Sequence, residues 1–213
     1  MKKRLLRVSS FLREVQLNWK TTGAIFPSSS RLAKKMAKPL TEFLSDRKPK
    51  RILEVGAGTG VMTEEIVKHT DKNDTIVLYE LSDSFANLLR DRIENEWSDR
   101  NIELRVQPFP KGLNKEKKFD FAVCSLPFNN FPYNIVKECL EAFEDVLRDG
   151  GYLTFFEYCY IRRAKINLRI NKDCKRLRRI ESQIQSYMKT RKISRETVAL
   201  NIPPAWVHTL RIE

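Results

Sequence analysis

Leu53-Glu54-Val55-Gly56-Ala57-Gly58-Thr59-Gly60 follows directly on Arg51-Ile52, and Arg51–Val55 is an apolar, strand-like run. Helical spacing begins at Val61 and continues to about residue 69. Glycines at alternate positions of such a junction let a ligand approach the backbone closely and offer N–H groups at a helix start. A dinucleotide fingerprint needs GxGxxG/A, and counting from Gly56 its sixth position is Val61. The pattern is instead E-x-G-x-G-x-G. An acid at the strand end is badly placed for a pyrophosphate and well placed for a cationic group. Twenty residues past Gly60, Glu80 closes a second strand-like run, where a carboxylate can accept both hydroxyls of a ribose.

Working outward, strand-like runs at 51–55, 75–80, 102–106, 119–124 and 152–158 alternate with helical stretches at about 31–40, 61–69, 83–97 and 134–148. Asp149-Gly150-Gly151 closes the last of these helices. This alternation predicts a parallel sheet with helices on both faces. Two more strand-like runs, 196–201 and 206–212, end the chain around Ile202-Pro203-Pro204-Ala205. ExGxGxG, the spaced acidic strand end and the alternation over residues 50 to 158 resemble the class I S-adenosylmethionine-dependent methyltransferases. That resemblance implies an α/β, Rossmann-like fold with a seven-stranded, mostly parallel sheet and an antiparallel C-terminal edge hairpin. It also implies S-adenosyl-L-methionine as cofactor, held by Glu54, Gly56, Ala57, Gly58, Gly60, Glu80, Leu81 and Ser125. The family often has an acid facing the adenine after the third strand. Here Gln107-Pro108-Phe109-Pro110 stands instead, so Gln107 is expected to hydrogen-bond the adenine and Phe109 to stack on it.

Charge is divided unevenly along the chain. Of the overall +13, residues 1–38 hold ten Lys/Arg against Glu14 alone, net +9. Residues 161–195 hold thirteen against Asp173 and Glu181, net +11, which leaves the remainder at −7. An acidic body with two basic segments calls for an anionic partner, either nucleic acid or a membrane surface. Leu5, Val8, Leu12, Val15 and Trp19 form an apolar helical stripe flanked by Lys2, Lys3, Arg4, Arg7 and Arg13, the composition of a helix lying in a lipid interface. Residues 1–40 therefore read as basic amphipathic helices, and 41–213 as the methyltransferase domain with a basic helical insert at about 161–195. Four cysteines without a CxxC pair and two histidines give no metal site and no disulfide framework. With no apolar run near the roughly 20 residues of a membrane span, the expectation is a cytoplasmic protein bound peripherally to the inner face of the membrane.

After the fourth strand the chain reads Ser125-Leu126-Pro127-Phe128-Asn129-Asn130-Phe131-Pro132. Prolines remove donors and leave carbonyls expected to face outward. Such carbonyls, with Ser125 and Asn129 oxygens, can take the hydrogens of an amine and aim its lone pair, while Phe128 excludes water and meets a methylated ammonium. Two families spell this loop in related ways. The rRNA adenine-dimethylating enzymes carry N-L-P-Y-N, and Ser125 and Phe128 depart from it at the positions those enzymes use to grip and stack a base. They also carry a helical C-terminal RNA domain, whereas two short strands follow Arg195 here.

The bacterial phospholipid N-methyltransferases are similar over more of the chain. Thr22-Gly23-Ala24-Ile25-Phe26-Pro27-Ser28-Ser29 resembles their G-A-I-x-P-S-S loop. Ser125-Leu126-Pro127 and Asn130-Phe131-Pro132 resemble their strand-four loop, one residue tighter. Phe156-Glu157-Tyr158 keeps the aromatics of an F-T-Y triplet, and Asn201-Ile202-Pro203-Pro204-Ala205-Trp206-Val207 resembles N-L-P-P-A-x-V. This resemblance implies methylation of a membrane aminolipid, phosphatidylethanolamine first and an ornithine lipid next. Pro27, Ser28, Ser29, Leu126, Pro127, Phe128, Asn130 and Tyr158 would meet the lipid, with Tyr158 orienting or deprotonating its amine. A carboxylate at Glu157, beside the site, would favour a cationic or amino-acid head. RNA is the alternative acceptor that charge alone does not separate from a membrane.

Overall fold

A computed structural model describes residues 29–43, 48–113, 118–159 and 174–213. The proposed docking residues Lys2, Lys3, Arg4, Arg7, Arg13 and Trp19, the loop residues Pro27 and Ser28, and the basic stretch 160–173 lie outside the described residues.

The elements, in chain order, are α1 (Ser30–Phe43), β1 (Arg51–Val55), α2 (Val61–Lys68), β2 (Thr75–Glu80), α3 (Asp83–Glu96), β3 (Asn101–Val106), β4 (Phe119–Cys124), a 3₁₀ turn (Phe128–Asn130), α4 (Tyr133–Val146), β5 (Leu147–Tyr158), α5 (Cys174–Arg191), β6 (Lys192–Val198) and β7 (Ala205–Arg211). They build one seven-stranded sheet in the order β3-β2-β1-β4-β5-β7-β6. Strands β1 to β5 are parallel, and β7 runs antiparallel to both β5 and β6. This is the parallel sheet expected from the alternation, with the antiparallel edge that the methyltransferase resemblance implies.

Side chains alternate between two cores. Leu53, Val55, Val77, Tyr79, Leu153 and Phe155 face α4 and α5, where Phe143, Ile180 and Ile184 close the layer. Ile52, Ile76, Leu78, Val123 and Phe156 face α1, α2 and α3, packing with Leu32, Met36, Ile66 and Leu89. Both faces of the inner strands are buried, so those strands read as continuous apolar runs. Phe119 lies in the first core and Phe121 in the second, where the pairing of β4 with β5 changes register.

Two boundaries differ from the sequence reading. The helix expected over 134–148 stops at Val146, and β5 starts at Leu147, which is 1% exposed and pairs with Phe119. Asp149-Gly150-Gly151 therefore lies inside the strand, where Arg148 pairs with the buried Asp120 at 2.6 Å and Gly150 turns the chain at φ 77. The basic helix gives way to β6 at Lys192, earlier than the expected 195, because Lys192 and its successors pair with β7 as an exposed, polar edge. Helix α1 is fastened across the second core by Thr154 Oγ1, which donates to Met36 O at 3.1 Å, and by Lys35 with Glu196 at 2.5 Å.

Strand order reverses between β1 and β4. The crevice of an open α/β sheet lies at such a switch point, outside the carboxyl ends of its strands.

Candidate active site

The first wall of the crevice is the turn from β1 to α2. Gly56 and Ala57 donate their N–H groups to Tyr79 O at 2.8 and 3.2 Å, which folds the turn onto the end of β2. Gly56 has φ 83, a conformation that favours glycine, and a Cβ there would stand 2.9 Å from Leu126 Cδ2, so the turn lies close against the β4 loop. Gly58 also has positive φ, 56, but a Cβ on it would meet nothing within 4 Å. Its backbone borders open space of the kind a ligand would occupy.

Two acids underlie this turn. Glu80 accepts from Gly58 N at 2.8 Å through one carboxylate oxygen, and from Leu81 N and Ser82 N at 2.8 and 2.7 Å through the other. The residue expected to read a ribose is thus also the anchor that holds the glycine turn against β2. Glu54 is fully buried, and Thr63 Oγ1 donates to its Oε2 at 2.7 Å. Its Oε1 is buried with no hydrogen-bond partner. Burial pushes the Glu54 carboxyl from its ordinary 4.5 up to about 8, with the Glu80 charge adding to the rise and the Thr63 hydroxyl opposing it. An orphaned acid oxygen at the base of an open glycine turn suits a cationic amino group, whose arrival would restore the carboxylate to its charged form. The residues present therefore fit the amino-acid end of S-adenosylmethionine.

The adenine side departs from expectation in its details. Gln107 Nε2 donates to Lys111 O at 3.0 Å and closes the 107–111 turn. Phe109 is 8% exposed, with its ring stacked on Phe143 at 4.8 Å and edge-on to Tyr79 at 5.6 Å. Here it is a core residue, and apolar packing rather than base stacking explains its position.

The second wall is the loop after β4, where the expected outward carbonyls are not found. Leu126 O accepts from Phe128 N, Pro127 O from Asn130 N, and Phe128 O from Phe131 N, at 2.9 to 3.2 Å. Asn129 O and Phe131 O accept from the Arg176 guanidinium at 3.1 and 2.6 Å. A 3₁₀ turn and one arginine of α5 thus use the oxygens that proline leaves without a local donor. Phe128 is 3% exposed and lies against Phe155, so its ring is a wall of the core. Leu126 covers Gly56, Pro127 is half-buried, and Asn130 is exposed. Ser125 is different. Its N–H is tied to Val55 O at 2.9 Å, while its Oγ is buried with no hydrogen-bond partner.

The sheet pattern puts Glu54, Ser125 and Tyr158 on the face that carries α1 and α2, as continuations of the rows through Ile52, Val123 and Phe156. Tyr158 is half-buried, with its ring edge-on to Phe156 at 5.3 Å, and burial raises its phenol above the ordinary 10. A phenol shifted in that direction stays protonated near neutrality, so it is a hydrogen-bonding group and not a base. Glu157 points to the other face. Its Oε2 lies 3.1 Å from Nε2 of the buried His208, whose ring stacks on Phe155 in the opposite core. The carboxylate expected beside the acceptor is thus separated from Tyr158 by the sheet.

Beside Tyr158, Cys159 N donates to Pro204 O at 2.7 Å, and Ser29 Oγ donates to Asn201 Oδ1 at 2.6 Å across 172 positions of sequence. Asn201 also donates to Pro203 O at 2.6 Å, and Ser29 Oγ accepts from Leu32 N at the start of α1. Sequence reasoning missed Thr63, Arg176 and Asn201 as architects of the site. Only Asn201 carried a signal, since it opens the N-I-P-P-A stretch.

The family model described as a methyltransferase domain matches residues 29–196. Over 137 residues, 64% of this chain and 43% of the relative, the protein is 31% identical to a ribosomal RNA small subunit methyltransferase A from Thermotoga maritima. Over 102 residues, 47% of this chain and 53% of the relative, it is 28% identical to an ornithine lipid N-methyltransferase from Singulisphaera acidiphila. The chain spans about half the length of the curated relatives it matches. Among solved structures it is similar to a magnesium protoporphyrin IX methyltransferase from Synechocystis with bound S-adenosylmethionine, at TM-score 0.67 and 8% identity over 96% of this chain and 97% of that one. The chain belongs to the methyltransferase-domain family, its fold is that of the class I methyltransferases, and its cofactor is S-adenosylmethionine.

Proposed function

We propose that this methyltransferase acts on the head-group amine of a membrane aminolipid, phosphatidylethanolamine or a lipid with an amino-acid head. The observation that carries the reading is the Ser29–Asn201 hydrogen bond. It joins the two stretches, at opposite ends of the sequence, that resemble the phospholipid enzymes, and it does so beside Tyr158 at the mouth of the crevice. The kinship to an ornithine lipid N-methyltransferase supports the same reading.

S-adenosylmethionine supplies a methyl group on a positively charged sulfur, an acceptor-ready electrophile. The protein's own work is to hold and desolvate the nucleophile. A primary ammonium, with an ordinary pKa of about 10.4, must lose a proton before its nitrogen has a lone pair to give. Transfer from water into a crevice lined by Leu126, Pro127 and Tyr158 lowers that pKa. The Ser125 hydroxyl, the Tyr158 phenol and the Asn129 side chain then accept or donate hydrogen bonds that fix the amine. Gly56, Ala57, Gly58, Gly60, Glu54, Glu80 and Leu81 hold the cofactor. Ser29, at the start of α1, faces the lipid phosphate.

Adenine methylation in rRNA is the second reading, favoured by the 31% identity to the ribosomal RNA enzyme. Methyl-labelled S-adenosylmethionine, offered with anionic vesicles containing amine lipids and separately with rRNA, decides between them. Label in lipid, lost in Gly58→Asp, is the expected result. Label in RNA with none in lipid overturns it.

A further inference from the structure

We infer that the turn between β6 and β7 is a bilayer-inserting tip, and that Leu200 and Ile202 enter an anionic membrane while cations of α1 and α5 meet its head groups. The inference rests on the aminolipid reading above and names the surface by which the crevice would face its substrate.

Leu200 and Ile202 are 71% and 74% exposed, whereas the other large exposed aliphatics among the described residues, Leu88 and Ile193, are 40% and 45%. Single exposed aliphatics are ordinary on a protein surface; two at one tip, two residues apart, are less so. This tip is also held rigid. Asn201, between them, is 4% exposed; its N–H donates to Val198 O, its amide nitrogen to Pro203 O, and its Oδ1 accepts from Ser29. The turn thus presents two aliphatic side chains outward and fastens its middle residue inward.

Its location is the mouth of the crevice. Val198 and Tyr158 both pair with Ala205, so the turn stands at the carboxyl end of β5, beside the proposed acceptor site. Two helices start at this same edge. Ser29 fixes the start of α1 to the turn, and Arg176 fixes the start of α5 to the β4 loop. Arg31 and Lys34 on α1, with Lys175 and Arg178 on α5, are exposed and pair with no carboxylate among the described residues; neither helix has an acid in its first turn. The acid of β6 nearest this surface, Glu196, is already paired with Lys35. An aliphatic tip flanked by cations that pair with no carboxylate among the described residues complements a bilayer with anionic head groups.

The test is flotation of the full chain with vesicles of phosphatidylglycerol and phosphatidylethanolamine, against vesicles of phosphatidylcholine alone. S-adenosylmethionine binding serves as the folding control. Leu200→Ser with Ile202→Ser is expected to weaken partitioning into anionic vesicles about tenfold at unchanged cofactor affinity. Arg31→Gln with Arg178→Gln is expected to weaken it as well and to flatten its dependence on salt. Undiminished flotation of the serine variant overturns the inference, and if that variant still methylates vesicle lipid the aminolipid reading survives it. Weakened flotation with no methyl transfer to lipid leaves the docking tip standing and removes the substrate assignment. A wild-type chain that ignores vesicles but binds rRNA, with or without the serines, overturns both.

Discussion

The two walls of the crevice are built on different principles. The β1–β2 wall is local: Glu54 is oriented by Thr63, nine residues on, and the glycine turn is held by backbone hydrogen bonds and by Glu80. The β4–β5–β7 wall is assembled across the chain. Arg176 reaches back to Asn129 and Phe131, Ser29 reaches forward to Asn201, and Leu126 leans on Gly56. A local wall suits a cofactor that does not vary. A wall made of distant pieces can change its acceptor by altering one piece while the other wall stays as it is.

The largest expected effect is on the local wall. Aspartate tolerates the φ of 56 at position 58 better than most residues, at about 1 kcal/mol. Its side chain would, however, fill the open space beside the turn. Gly58→Asp is therefore expected to keep the fold, within a few degrees of melting temperature, and to weaken cofactor binding by about a hundredfold in calorimetric titration. Equal cofactor affinity would mean that the ligand does not approach Gly58 at all.

Next comes Glu54→Gln, which keeps the shape and removes the charge. Loss of a charge-assisted contact to the cofactor's amino group is expected to raise Kd about tenfold or more. The pH signature is sharper. The Glu54 carboxyl has its pKa raised from 4.5 to about 8 in the folded protein, so its contribution to stability is complete below 4.5 and is lost as pH rises through 8. Thermal melts of the cofactor-free protein should show that loss, and Glu54→Gln should flatten it. Near neutrality, cofactor binding to the wild type should release a proton from Glu54, seen as a buffer-dependent heat that the Gln variant lacks.

This contrast also marks what the amino-acid sequence reveals. The alternation of strands and helices, the helices on both faces of the sheet and the glycine turn follow from short-range pattern, because ExGxGxG and the next strand's acid lie within about thirty residues. In the second wall the sequence reading and the structure differ in how the loop after β4 is held. The carbonyls left by Pro127 and Pro132 do not face outward, because Arg176 and a 3₁₀ turn consume them. Nothing local distinguishes Arg176 from the other twelve cations of residues 161–195. Phe109 and Phe128 looked like ligand-facing aromatics because loop residues flank them, but Phe143 and Phe155 claim their rings. Glu157 is one residue from Tyr158, and in a strand that single step reverses the face.

Arg176→Met should perturb only the distant wall. It keeps an unbranched stem and removes the hydrogen bonds to Asn129 O and Phe131 O. The expected result is about a tenfold fall in kcat/KM for the acceptor, with cofactor Kd unchanged. A matching loss of cofactor affinity would show that the walls are coupled through Leu126 and Gly56 and would break the comparison.

The smallest effect expected is at Tyr158. Deleting the phenol oxygen in Tyr158→Phe leaves the edge-on contact with Phe156 in place and removes one candidate hydrogen bond to the amine, worth about 1 kcal/mol, or about fivefold in kcat. Burial raises the phenol above its ordinary value, so the group does not ionise across the neutral range. The pH–rate profile of the variant should therefore keep the shape of the wild type at a lower height, since on the aminolipid reading its rising limb belongs to the acceptor ammonium. A variant that loses that limb would make Tyr158 the proton acceptor, and its phenol would then have to be brought down in the ternary complex by the positive charges of cofactor and amine.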